Sequence, residues 1–409
     1  MQPVMSGELK RSLSLPLLVF YGVGTILGAG IYVLTGKVAG VAGMYTPLAF
    51  LLASIVAGFS ALSYAELSAR FPKSAGEAVY IHEGLGFPRL ALLVGLLIVL
   101  MASVSTATLL HGFVGYLRVF LPVNETMTIV LLVVALCGVV VWGIRQSVWL
   151  AAAMTIVEIF GLLLILWVTA DHLVEIPAQL DRLFLPPLEN GVWTGAMLGA
   201  FIAFYAFIGF EDIVNVAEEV KQPERNLPRA ILWALFITTF LYLLVSAVSV
   251  LSMPLEQLAQ SDAPLALIYT RTTGQSPILI SSISLVSVLN GALIQIIMAS
   301  RILYGLARQG WIHHSFARLH VKTQTPWQAT VTVAMVMLLF ALLLPLLSLA
   351  KITSFITLTV FALVNLSLWR IKMQGRKTSG IRVPLWVPVL GFISCLALLI
   401  FQTWHIVPE

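Results

Sequence analysis

Charge is scarce in this chain of 409 residues: Asp, Glu, Lys and Arg together make up 10%, where soluble domains carry about 25%. With 59% hydrophobic residues and a mean hydropathy of +0.99, no water-exposed globular surface can be assembled from it. Cysteine is almost absent. Cys137 and Cys395 both lie in apolar runs, so neither a disulfide framework nor a thiolate metal cluster is indicated. His313, His314 and His320 form a cluster by count only, without metal-ligand spacing. The chain also lacks an HExxH motif and any Ser–His or paired-Asp setting suited to an intramembrane enzyme, so neither a catalytic site nor a cofactor or metal is expected.

What is present is a series of apolar runs of membrane-spanning length, which makes this an all-α integral membrane protein. Charged or Pro-rich stretches divide them into eleven spans, at 14–37, 45–67, 90–117, 126–144, 148–170, 193–217, 229–252, 276–307, 328–348, 352–370 and 384–404. Lys10 and Arg11 precede the first as they would in a signal peptide. That run is too long for a signal core and the next follows almost at once, so it reads as a retained span. With the N-terminus cytoplasmic, 18 of the 23 Lys and Arg residues fall on the cytoplasmic side and 5 (Lys37, Arg118, Arg182, Arg271, Lys351) on the other. This asymmetry accounts for the net charge of +5 without nucleic acid, and an odd number of spans puts the C-terminus outside. The expected location is the cytoplasmic membrane.

The first span carries its own helix breakers. Gly22 to Gly36 reads GVGTILGAGIYVLTG, and Gly22, Gly24, Gly28 and Gly30 each weaken a helix by roughly 1 kcal/mol relative to Ala. Two readings compete: a break near the membrane midplane whose freed N–H and C=O groups line a binding cavity, or small residues that let a neighbouring helix pack closely. A dinucleotide fingerprint is excluded by the lack of any strand context. Span six favours the break. It reads GAFIAFYAFIGFEDIVNVAEEVKQPERNLPRAI, with Gly209, Glu211 and Asp212 where an ordinary span is apolar. Two interrupted spans five apart point to inverted repeats with a site between them. The expected division is a cytoplasmic segment 1–13, repeats 14–170 and 193–370, and an additional span 384–404.

Four stretches carry a family resemblance: GVGTILGAGIYVLTG from Gly22, SYAELSARFPKSAGEAVYIHEGLG from Ser63, FYAFIGFEDIVNVAEEVKQPERNLPRAI from Phe204 and ASRILYGLARQGW from Ala299. In this order they resemble the amino acid–polyamine–organocation (APC) transporters, of the bacterial amino acid permease type, from Lys10 to about Arg382. Many members have twelve spans rather than eleven, and many carry a Gly-Gly pair where this chain has PKSAGEAVY. The resemblance implies a LeuT-type inverted five-helix repeat that carries an amino acid by alternating access, sodium-independent, as a proton symporter or an exchanger. A polyamine carrier is the first alternative, and a channel or an enzyme comes after it. The expected partners are a small-molecule amino acid, protons and the lipid bilayer; monomer and homodimer both stay open.

In that family the substrate carboxylate rests on backbone corresponding to Gly28, Ala29 and Gly30, at the positive end of a half-helix. Carbonyls of Thr25, Ile26 and Phe207 are placed to accept from the ammonium. Tyr205 falls at the family's aromatic gate, the alternative being ordinary packing. Glu211 is expected in gating or proton response, the alternative being a permanently charged acid in a watery vestibule. Beside it, Asp212 disfavours joint ionisation. Glu158 in span five stands where some relatives have a lysine; it is either a protonatable coupling group or a neutral acid bonded to a neighbouring helix. Gln295 is a pocket candidate, with Asn290, Ser103, Ser105, Thr106, Ser354 and Thr357 as weaker ones that helix packing explains equally well. Glu66, Arg70 and Lys73 after span two, with Glu218, Glu219, Lys221 and Arg225 after span six, form either an ion-paired inner gate or a solvated fringe.

Overall fold

A computed structural model describes residues 11, 13–27, 30–73, 76–142, 147–187, 190–320, 323, 325–376 and 380–405. The α-helices in chain order are α1 (Leu15–Leu27), α2 (Gly30–Ala42), α3 (Thr46–Arg70), α4 (Gly76–Leu85), α5 (Pro88–Leu117), α6 (Glu125–Trp142), α7 (Ser147–Val168), α8 (Ala170–Glu175), α9 (Leu180–Phe184), α10 (Asn190–Phe204), α11 (Pro223–Ser252), α12 (Leu255–Gln260), α13 (Pro264–Thr273), α14 (Ile278–Arg308), α15 (Trp327–Leu343), α16 (Leu346–Met373) and α17 (Trp386–Trp404). Among the described residues, eight helical segments are long and apolar enough to cross a membrane. The first, Leu15–Arg70, takes in α1 to α3; two shorter apolar helices, Glu125–Val141 and Trp327–Leu343, stand beside these eight.

The distribution of side chains is that of a protein in lipid. Trp167, Met335, Leu343 and Trp404 face outward with 63–79% of their surface exposed, which in water would be an aggregation liability and in a bilayer meets hydrocarbon. Inside, several hydroxyls are satisfied by their own helices: Ser103 donates to the Val99 carbonyl, Thr106 to Ala102 and Thr353 to Leu349. A polar side chain bonded in this way adds no unpaired group to the interior. The protein is a multi-pass, all-helical membrane protein.

The core is built on two long pairings, α14 along α5 and α11 along α3, with α1 held between α7 and α11. α10 lies against α2 and α3, and α17 covers α3 and α16 from outside. Two helix ends correct the sequence reading. The ninth apolar run was expected to reach 348, but α15 stops at Leu343 and α16 starts at Leu346 because Pro345 between them lacks an N–H and forces Leu344 into extended backbone. The seventh was expected from 229; α11 begins six residues earlier, where Pro223 occupies its first turn, and there a missing N–H costs nothing. The loop after it folds into α12 and α13, and α12 packs across α2, with Lys37 Nζ 3.1 Å from the Ala259 carbonyl.

One backbone contact ties the entrance of α1 to a distant segment. Leu13 forms an isolated parallel bridge with Val220, and the Lys221 N–H donates to the Leu13 carbonyl at 3.0 Å.

Candidate functional site

The interruption in the sixth apolar run is visible residue by residue. α10 ends at Phe204, a 3-10 turn covers Tyr205–Phe207, Ile208 is extended, and Gly209 has φ +131°, a value that side-chain-bearing residues rarely adopt. A 3-10 segment, Phe210–Glu219, follows. In the first run, α1 ends at Leu27 and α2 begins at Gly30; Gly28 and Ala29, the expected carboxylate seat, lie outside the described residues.

These two places meet. A Cβ on Gly30 would stand 2.2 Å from the Ala206 Cα, and one on Gly209 would stand 2.6 Å from the Thr25 carbonyl oxygen, so both glycines are needed for the backbones to approach. The Thr25 hydroxyl lies 2.9 Å from the carbonyls of both Gly22 and Gly209. The Tyr242 hydroxyl of α11 lies 2.7 Å from the Ile26 carbonyl and 3.0 Å from the Ala206 carbonyl, joining the same two segments from the side. Phe207 packs edge-on to Tyr242 and Phe50, with ring centroids 5.2 and 6.4 Å away. The crossing therefore brings the Thr25 and Ile26 carbonyls of α1 and Gly30 of α2 against the Ala206–Gly209 segment.

Around the crossing, the Tyr205 hydroxyl lies 3.1 Å from both Oγ and the carbonyl oxygen of Ser105 on α5. Gln295 of α14 is buried, with Nε2 3.4 Å from Asp212 Oδ2, so it meets the 3-10 segment. Ser103 is buried and bonded to its own helix. The Glu211 carboxylate turns back on its own segment, Oε2 accepting from the Gly209 N–H at 2.8 Å. Its Oε1 and Asp212 Oδ1 are buried without a hydrogen-bond partner among the described residues.

Glu158 and Asn290, read separately in the sequence, face each other: Asn290 Nδ2 donates to Glu158 Oε1 at 2.8 Å, and Oε2 is unpartnered among the described residues. Tyr32 of α2 donates to the Glu158 main-chain carbonyl at 2.6 Å, and Thr155, one turn away, sits against Gly24 of α1. Glu66 is a fully bonded hub. Its Oε1 receives Arg70 Nε at 3.0 Å and Nη2 at 2.5 Å; its Oε2 receives Lys372 Nζ at 2.6 Å and the Val383 N–H at 2.8 Å. Arg70 also donates to the Arg376 carbonyl. The described partners of Glu66 and Arg70 thus belong to the end of α16 and the approach to α17. The side chains of Glu218 and Glu219 lie outside those described.

Sequence reasoning missed three participants. Tyr242 is one tyrosine in an apolar run, and nothing local marks it. Lys372 was counted only as an interfacial charge. Glu77, in the first turn of α4, was quoted as part of a motif and given no role; it is 1% exposed, and burial pushes its carboxyl up to about 8. An acid followed by an apolar face in AGEAVYIH was the available signal.

A multi-pass bundle of apolar helices packed around an interrupted helix defines an integral membrane protein. The amino acid permease family matches residues 13–409, and this chain belongs to it. It is 30% identical to the branched-chain amino acid permease BcaP of Bacillus subtilis, over 98% of this chain and 90% of that protein. It is also 30% identical to cationic amino acid transporter 3, mitochondrial, of Arabidopsis thaliana, covering 88% of this chain and 62% of the plant protein. An uncharacterized transporter of Mycobacterium tuberculosis matches at 29%, over 96% and 86%.

Proposed function

We propose that the protein is a secondary active transporter of amino acids that works by alternating access, with the α-amino and α-carboxylate groups held by backbone at the crossing of α1–α2 with the Tyr205–Gly209 interruption. The observation that supports this most directly is the double approach of Gly30 to Ala206 and Gly209 to Thr25, which brings the main chains of the two segments together at one buried place. At both positions only glycine leaves room for this approach. Tyr205 closes this place from the α5 side, Gln295 and Phe207 border it, and Glu158 and Glu211 respond to protons.

In this reading the chain crosses the cytoplasmic membrane eleven times with its N-terminus inside. The ranges 14–170 and 193–370 are inverted repeats, each opening on an interrupted span, and 384–404 is an added span. Transport is independent of sodium, by proton symport or exchange. Names of relatives on both sides of the question favour neutral branched side chains and cationic ones respectively. The unpartnered oxygen of Asp212 beside the crossing favours the cationic class, and a bare amine is the second reading on the same ground.

A ligand that binds only the folded state stabilises it by mass action, about 2.7 kcal/mol at 100 times its dissociation constant. Purified protein screened by thermal shift against amino acids and their decarboxylated amines should be stabilised by a few amino acids and not by the matching amines. Stabilisation by amines alone would remove the carboxylate seat and leave amine transport.

A further inference from the structure

Glu77 differs from the other buried acids: neither of its carboxyl oxygens has a hydrogen-bond partner among the described residues. It lines a small, partly open cavity of about 10 Å³, room for about one water. Glu211 lines the same cavity, and so does Tyr64, whose buried hydroxyl is also unpartnered among the described residues. A single water needs two to four polar partners, and these three groups supply them.

Among the described residues, the rest of the wall offers no positive charge. α5 contributes Ile98 and Met101, and α16 contributes Thr357, Val360 and Phe361. The titratable groups near Glu77 are Tyr64 of α3, Tyr80 of α4, and Glu211 and Asp212 of the 3-10 segment. Two ionised carboxylates facing each other in such a wall would carry both the desolvation cost and mutual repulsion. One shared proton removes most of both.

We propose that Glu77 and Glu211 share a single proton through one water in this cavity, and that this carboxyl pair binds the proton that drives transport. The inference rests on the reading of the chain as an amino acid transporter and commits that reading to proton coupling. The coupling route is short. Glu211 Oε1 belongs to the buried pair while Oε2 holds the Gly209 N–H, and the Gly209 carbonyl holds Thr25 of α1. α4 rests directly on the 3-10 segment, where a Cβ on Gly76 would stand 2.5 Å from a Val214 methyl. Loss of the proton leaves two like charges across that contact and drives α4 and the 3-10 segment apart.

The test uses the full chain in liposomes, with labelled leucine and labelled lysine as probes. Counterflow reports substrate exchange, and accumulation under an imposed pH gradient reports coupling. Glu77→Gln resembles the protonated form and keeps the fold; in it the ratio of gradient-driven accumulation to counterflow should fall about tenfold. Infrared spectra of the same protein at neutral pH should show the carbonyl stretch of a protonated buried carboxyl, lost in Glu77→Gln and shifted in Tyr64→Phe. An unchanged ratio in Glu77→Gln, or a wild-type protein that exchanges but never accumulates under a pH gradient, overturns the proposal. Should the wild type show no counterflow with either probe, the amino acid reading falls first. The infrared band then decides the carboxyl pair alone: its absence overturns it.

Discussion

Glu66 and Glu77 stand eleven residues apart, are both buried to within 1% of completely, and could hardly be treated more differently. Glu66 receives four donors from three parts of the chain: two from Arg70 in its own helix, one from Lys372 at the end of α16, and one from the Val383 main chain. Glu77 receives none among the described residues. A buried carboxylate with every lone pair engaged fixes the arrangement around it; one without partners keeps its proton and can give it up. The first is a structural clamp that joins α3 to α16 and to the strand of chain entering α17. The second is the only kind of acid that is worth keeping for exchange with water.

The comparison can be broken in three ways. Glu66→Gln should have the largest effect, because it takes the anion away from the half-buried Lys372 and Arg70, which keep only main-chain carbonyls as acceptors, at a cost of about 2–3 kcal/mol. Thermal unfolding in detergent measures this, and a loss below about 1 kcal/mol would mean the pairs are replaced by water. The second concerns pH. Glu77 holds its proton more tightly folded than unfolded, so its stabilising contribution is complete below the ordinary value of 4.5 and is lost as pH rises through about 8. The slope in that window is at most about 1.4 kcal/mol per pH unit. The wild-type melting temperature should therefore decline from acid toward pH 8, and the decline should flatten in Glu77→Gln; parallel profiles would place Glu77 among the solvated acids. The smallest effect belongs to Tyr242→Phe. It removes one hydroxyl from two carbonyls, a loss of about 1 kcal/mol in melting experiments, because the close approach of the glycines remains.

The helices were legible because lipid demands long apolar runs, and proline and glycine mark where they stop. The interruption at Gly209 was legible for the same reason: two acids after a glycine cannot sit in an unbroken span. Pro345 was legible in principle and was overridden by the apolar residues on both sides, which are compatible with one helix or two. The partners of the site were not legible. Tyr242 meets Ile26 across 216 residues, and Glu66 meets Val383 across 317. Such pairings depend on the tertiary arrangement, which local periodicity does not encode. Glu158 and Asn290 were each noticed as a polar residue in an apolar run, but that observation carries no information on which other run they face.

The small bridge between Leu13 and Val220 has a mechanical consequence. α1 and the 3-10 segment Phe210–Glu219 are also joined at their other ends, where Thr25 bonds the Gly209 carbonyl. Ten helical residues of α1, 15–24, lie between the two joints, roughly 15 Å at 1.5 Å per residue. Two rods joined near both ends resist sliding past each other, so a push on one is shared by the other.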